Sequence, residues 1–116
     1  GQWVRYPYAM GKLRLKQKQM EFKEIAPGER QAERILCGNS GEKPLRLSAA
    51  IIPGFATFRT EPEVINPREE ADIVITVDAS KIPHGKGERF SFPVIIEGLD
   101  VRPSDRTLDI KVNCIK

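Results

Sequence analysis

The sequence predicts an all-β fold. Apolar side chains alternate with polar ones over short segments, and turn residues interrupt those segments roughly every ten residues. No stretch keeps apolar residues at helical spacing over about three turns. About seven strands punctuated in this way fit an immunoglobulin-like two-sheet sandwich with Greek-key connections better than a helical or parallel α/β fold.

The strands follow in order. Leu13 and Leu15 face one way and Lys12, Arg14, Lys16 and Lys18 the other, and Met20 and Phe22 resume the apolar side after a bulge, so the first strand is expected in two parts. Ala26, Pro27, Gly28 and Glu29 make a turn into a second strand over Arg30–Gly38, with Ile35 and Cys37 inward and Leu36 outward or at an edge. Asn39, Ser40, Gly41, Glu42 and Lys43 reverse the chain into a third strand through Leu45, Leu47, Ala49 and Ile51. Pro53 and Gly54 end it, Phe55–Thr60 is a short fourth, and Glu61–Arg68, with Pro62, Asn66 and Pro67, is expected as a loop. Ala71, Ile73, Ile75 and Val77 restart the alternation, and Asp78–Gly87 is a long turn before Phe90, Phe92, Val94 and Ile96. Pro93 lacks an amide hydrogen and belongs at an edge or bulge. In the last strand Leu108, Ile110, Val112 and Cys114 oppose Asp109, Lys111 and Asn113.

The 116 residues suit one domain, and 40% apolar with 30% charged residues is the composition of a globule with a packed core. Residues 12–116 are read as the sandwich, and 1–11, with Trp3, Val4, Arg5, Tyr6, Pro7 and Tyr8, as a linker or the last strand of a preceding domain. Nineteen Lys plus Arg against sixteen Asp plus Glu give +3, too mild a balance to imply nucleic acid. No apolar run reaches the roughly 20 residues of a membrane span.

From Phe22 to Val112 the chain resembles the bacterial immunoglobulin-like family catalogued as domain of unknown function 1573, related in architecture to major-sperm-protein and pilus-chaperone sandwiches. The resemblance lies in Phe22, Ile25, Gly28 and Glu29, then Asn39, Gly41, Pro44, Leu45 and Leu47, then Ile65 and Pro67 ahead of Ile73–Val77. It departs at Lys23 and Arg68, where the family commonly has glycine. The resemblance implies a tandem module of exported or lipid-anchored bacterial envelope proteins, in the periplasm or at the cell surface, with no catalytic residue or cofactor to carry over.

The residues point away from chemistry. Cysteine catalysis needs a base beside the thiol, and His84 is the one histidine available to Cys37 and Cys114, both at inward strand positions. Two cysteines and one histidine lack the paired spacings of a zinc site, and a Cys37–Cys114 disulfide requires α-carbons within about 7 Å. Gly85-Lys86-Gly87 lacks the strand, helix and further glycines of a phosphate loop. Glu61, Glu63, Glu69 and Glu70 read as a solvated loop rather than paired acid–base carboxylates, and Asp100, Asp105 and Asp109 are too sparse for a calcium loop. No enzyme, cofactor or metal is expected.

What remains is surface. Trp3, Tyr6 and Tyr8 are the best candidate contacts, because aromatic rings with polar edges suit sugars and protein interfaces. Arg14 and Lys16, within the basic row, join them, although charges on an edge strand also serve to discourage aggregation. The expected function is a non-catalytic interaction or spacer module whose partners are neighbouring domains of the same chain or another protein. The alternatives are a carbohydrate-binding module using Trp3, Tyr6 and Tyr8, and a pilus-chaperone-like protein, which normally carries a second sandwich.

Overall fold

The computed structural model describes residues 3–82, 87–98 and 103–115, and is an immunoglobulin-like β-sandwich. Its strands are β1 (Tyr8–Met10), β2 (Leu13–Leu15), β3 (Gln19–Ile25), β4 (Arg30–Asn39), β5 (Leu45–Ser48), β6 (Ala56–Glu61), β7 (Val64–Ile65), β8 (Glu70–Asp78), β9 (Glu88–Pro93), β10 (Ile95–Ile96) and β11 (Thr107–Cys114). One layer is a five-stranded sheet ordered β1-β2-β4-β8-β6. The other joins the ladders β3-β11-β9 and β10-β5-β7, since only Val94 separates β9 from β10.

The two-part first strand is the device that links the layers. β2 pairs antiparallel with β4 in one sheet, and three residues later β3 pairs parallel with β11 in the other, Gln19 opposite Asp109 and Phe22 opposite Val112. Leu13, Leu15, Phe22, Ile35, Cys37, Ile73, Ile75, Val77, Leu108 and Ile110 are all buried, the core the alternation predicts. Phe58 packs edge-on against Phe92 at 5.8 Å, knitting β6 to β9 across the sandwich.

Within the stretch expected as a linker or a preceding domain's last strand, Tyr8–Met10 pairs with β2 as an edge of this sandwich, anchored by Met10 at 0% exposure. The third strand is shorter than the alternation predicts: β5 ends at Ser48, and Ile51 is 75% exposed. Its partner β10 supplies only Ile95 and Ile96, while the Val94 amide turns away to the Arg106 carbonyl, so no ladder exists beyond Ser48. Glu61–Arg68 is not all loop, because Val64 and Ile65 pair with Arg46 and Leu45. Val74, on the outward face of β8, is fully buried, with Arg34 and Arg59 opposite it in register on the two neighbouring strands. Pro93 closes the edge strand β9, as its missing amide requires. The long turn after β8 opens with one 3-10 turn, Ala79–Lys81, capped by Asp78. His84 and the following Gly85-Lys86 lie outside the described residues, as does Asp100.

Candidate interaction surface

The outward face of the five-stranded sheet carries the N-terminal aromatics, but not as a platform. The Tyr6 amide donates to the Trp3 carbonyl at 2.9 Å, closing a turn that folds back on β2 and β4. Tyr6 is only 4% exposed, and its hydroxyl donates to Glu70 Oε1 at 2.9 Å. Burial and then this carboxylate hold the phenol above its ordinary pKa. Trp3 sits on Gly38 so closely that a Cβ there would lie 2.1 Å from Trp3 Cζ3. The Trp3 and Tyr6 rings are tilted 59° with centroids 5.8 Å apart, and half-exposed Tyr8 stands apart on β1. Trp3, Tyr6 and Tyr8 therefore do not form one flat exposed face of the kind a sugar ring would stack on.

The two candidate cations differ. Arg14 donates through Nε and Nη2 to the Tyr6 carbonyl at 3.1 and 2.8 Å, so its guanidinium clamps the N-terminal turn. Lys16 is exposed, its backbone amide bonded to the Leu36 carbonyl at 3.0 Å and its side chain in no ion pair among the described residues. Sequence reasoning missed Gly38, the seat of the Trp3 ring; its signal was a glycine inside a strand, where a close approach of another group is one reading.

The other candidates are committed to structure. Arg34 bonds Glu61 at 3.0 Å and Asp72 at 3.1 Å, and Arg59 also bonds Glu61. Arg34 first, then Arg59, holds the Glu61 carboxyl below its ordinary range. Glu69 accepts from the Asn66 amide, Glu70 from Tyr6, and Glu63 faces Arg46 at 3.6 Å. Both cysteines are free thiols, in different sheets. Burial pushes Cys37 up to about 12 and also raises Cys114, so neither is an activated thiolate. Among the described residues no cluster of three or more His, Cys, Asp and Glu could hold a metal ion.

Asn39, Gly41 and Pro67, marks of the family resemblance, meet at one end. Asn39 is fully buried; its Nδ2 donates to the Lys43 and Ile65 carbonyls at 2.7 and 2.9 Å, and its Oδ1 accepts from the Gly41 amide at 2.9 Å. Arg68 follows Pro67 with φ 69°, a left-handed conformation that glycine takes without cost. Here the guanidinium offsets the strain, donating to the Ser40 and Gly41 carbonyls at 2.9 Å each and to Glu42 at 2.7 Å.

An open groove of about 650 Å³ crosses β3, β11 and β9. It is bordered by Glu21 and Asp109 against Arg89 and Lys111, so its charges offset one another.

Neither a protein-family model nor a curated protein matches this chain. Solved structures do. A protein of unknown function from Porphyromonas gingivalis W83 is similar with TM-score 0.68 and 20% identity, over 87% of this chain and 46% of that one. PapD-like domain 7 of human CEP192 is similar with TM-score 0.62 and 17% identity, over 90% and 86%. The YadV chaperone is similar with TM-score 0.60 and 15% identity, over 90% and 53%. At such identities the likeness shows the fold alone, an immunoglobulin-like β-sandwich. This chain spans about half the length of the Porphyromonas and YadV chains.

Proposed function

We propose that this chain is a non-catalytic, immunoglobulin-like interaction or spacer module of a larger exported bacterial envelope protein. The observation that carries the reading is that the same sandwich fills about half of longer chains, 46% of the Porphyromonas protein and 53% of YadV, as one unit of a larger assembly does. The surface chemistry supports it. The groups that acid–base or nucleophilic work would use are tied in structural pairs, as Glu61 and Glu70 are, or held as neutral thiols. The resemblance to domain of unknown function 1573 supports membership of that family and the location outside the cytoplasm. Among the described residues no helix is long and apolar enough to cross a membrane. Its partners are then neighbouring domains or another protein, met through loops or an exposed strand.

The test uses residues 1–116 alone and a parent chain lacking them. The isolated chain is expected to unfold in one cooperative transition without turning over any substrate. Removing it is expected to change the spacing or partner binding of the rest. Turnover by the isolated chain overturns the non-catalytic reading. A surface cysteine reporter that a membrane-impermeant thiol reagent cannot reach in intact cells overturns the location.

A further inference from the structure

The charge of this chain is not evenly distributed. Residues 1–20 hold Arg5, Lys12, Arg14, Lys16 and Lys18 and no acid, so all 16 Asp and Glu lie later and the rest of the chain is net negative. The structure places Arg5 in the N-terminal turn, Arg14 on β2 and Lys16 directly after it, while Lys12 lies against Gly41 at the Asn39 end and the Lys18 carbonyl accepts from the Asp109 amide of the other sheet. None of the five takes part in an ion pair among the described residues, whereas Arg30, Arg34, Arg46, Arg59 and Arg68 all do. The N-terminal corner exposes large apolar side chains: Val4 is 75% exposed, Tyr8 47% and Leu36 43%. Leu36 adjoins Lys16 through the bond from the Lys16 amide to its carbonyl, and lies two residues from Gly38, on which Trp3 is seated.

Arg5 and Lys16, in no ion pair among the described residues, beside the exposed apolar groups Val4 and Leu36 call for a ligand that carries both features. We propose that Val4, Arg5, Lys16 and Leu36 form the docking surface of this module, and that its partner is an extended acidic segment of another polypeptide with apolar side chains between its carboxylates. The proposal rests on the interaction-module reading and names the partner's chemistry. Two observations favour a polypeptide over other anions. The cations are spread along a strand and a turn and do not converge on one point, as they would around a phosphate. Of the three rings a membrane interface would take, Trp3 and Tyr6 are turned inward onto Gly38 and Glu70, which leaves Tyr8 alone half-exposed.

The experiment titrates residues 1–116 with a synthetic peptide of about ten residues alternating leucine and glutamate, followed by backbone amide NMR shifts. Controls are the leucine–lysine peptide, vesicles of phosphatidylglycerol and phosphatidylcholine, and oligothymidylate. The expected result is binding of the acidic peptide alone, with shifts centred on residues 4, 5, 16 and 36 and a marked weakening in salt. The double variant Arg5→Glu/Lys16→Glu is expected to weaken binding by about tenfold or more. Both side chains are exposed and in no ion pair among the described residues, so unchanged circular dichroism and Trp3 fluorescence report an intact fold. Tighter binding to the anionic vesicles or the oligonucleotide overturns the proposal, as does acidic-peptide binding that the double variant leaves unchanged. Failure of the peptide while some other polypeptide binds elsewhere sinks this surface and leaves the module reading standing; turnover of a substrate sinks the module reading itself.

Discussion

At the end of the five-stranded sheet where β4 turns toward β5, every polar atom of the buried Asn39 side chain is bonded within the loops, and Arg68 is paired to Glu42 while it bonds two carbonyls. At the N-terminal corner of the same sheet the covering is aromatic, Trp3 on Gly38 and Tyr6 on Glu70, and Arg5 and Lys16 form no ion pair among the described residues. The first region uses its charge to hold itself together. The second is held by ring packing and one clamp from Arg14, which leaves charge over for something else. The difference separates residues that a sandwich of this kind needs from residues that are free to recognise a partner.

The largest expected effect tests the self-contained end. Asn39→Ala leaves the Lys43 and Ile65 carbonyls and the Gly41 amide without their partner, and is expected to cost about 3 kcal/mol or more in urea unfolding. Asn39→Asp is expected not to rescue it, because the one amide nitrogen that donates to both carbonyls becomes a carboxylate oxygen aimed at them. A loss below about 1 kcal/mol for Asn39→Ala would mean that water replaces the side chain and that this end is not the staple described here.

Gly38→Ala probes the other region. Its Cβ would meet the Trp3 ring at 2.1 Å, and the contact is with a ring held by Tyr6, so the ring must leave its seat. The expected cost is about 1–3 kcal/mol, with a red shift in the emission of Trp3, the one tryptophan of the chain. In a double-mutant cycle Trp3→Ala is expected to remove most of that cost. If the emission does not move, the aromatic covering is not seated on Gly38.

How much of this was legible follows from the physics of each element. Alternation found β4, β8 and β11 because long strands with one buried face write their period into the sequence. β7 was hidden because two residues carry no period, and the early end of β5 was hidden because it depends on where a partner 47 residues away stops. By alternation Val74 falls on the outward face, yet it is fully buried between strands that place Arg34 and Arg59 opposite it, a cross-strand fact. At the candidate surface, Arg14 and Lys16 were legible as basic edge residues, but nothing local says that one clamps a carbonyl and the other is free. Tyr6 looked like an isolated contact because Glu70, its partner, is 64 residues away.

Arg68 sharpens the comparison at a smaller scale, because strain and bonding act there in opposite directions. Arg68→Ala keeps the left-handed φ of 69° and loses the bonds to Ser40, Gly41 and Glu42; Arg68→Gly loses the same bonds and removes the strain. The glycine variant is expected to be the more stable of the two by about 0.5–1 kcal/mol. Equal midpoints in thermal melts would show that the backbone conformation at this position carries no cost.

The smallest effect concerns charge already committed on the outward face. Hydrogen bonding from Arg34, and then from Arg59, holds the folded Glu61 carboxyl below its ordinary value of 4.5. A lowered folded pKa gives a stabilising contribution that is present above pH 4.5 and is lost as pH falls from there through the folded value. Glu61→Gln removes that dependence, so its unfolding midpoint is expected to fall less steeply than the wild type's below pH 4.5 and to lie slightly lower at neutral pH. High salt is expected to shrink the gap, since the pair is exposed to solvent on both sides. Arg5→Gln and Lys16→Gln are the matched comparison. Neither has an acid within ion-pair distance among the described residues, so neither is expected to change the acid limb. An acid limb that responds to Lys16 as strongly as to Glu61 would mean that the corner's charge is already neutralised within the chain, and the distinction between the two regions would fail.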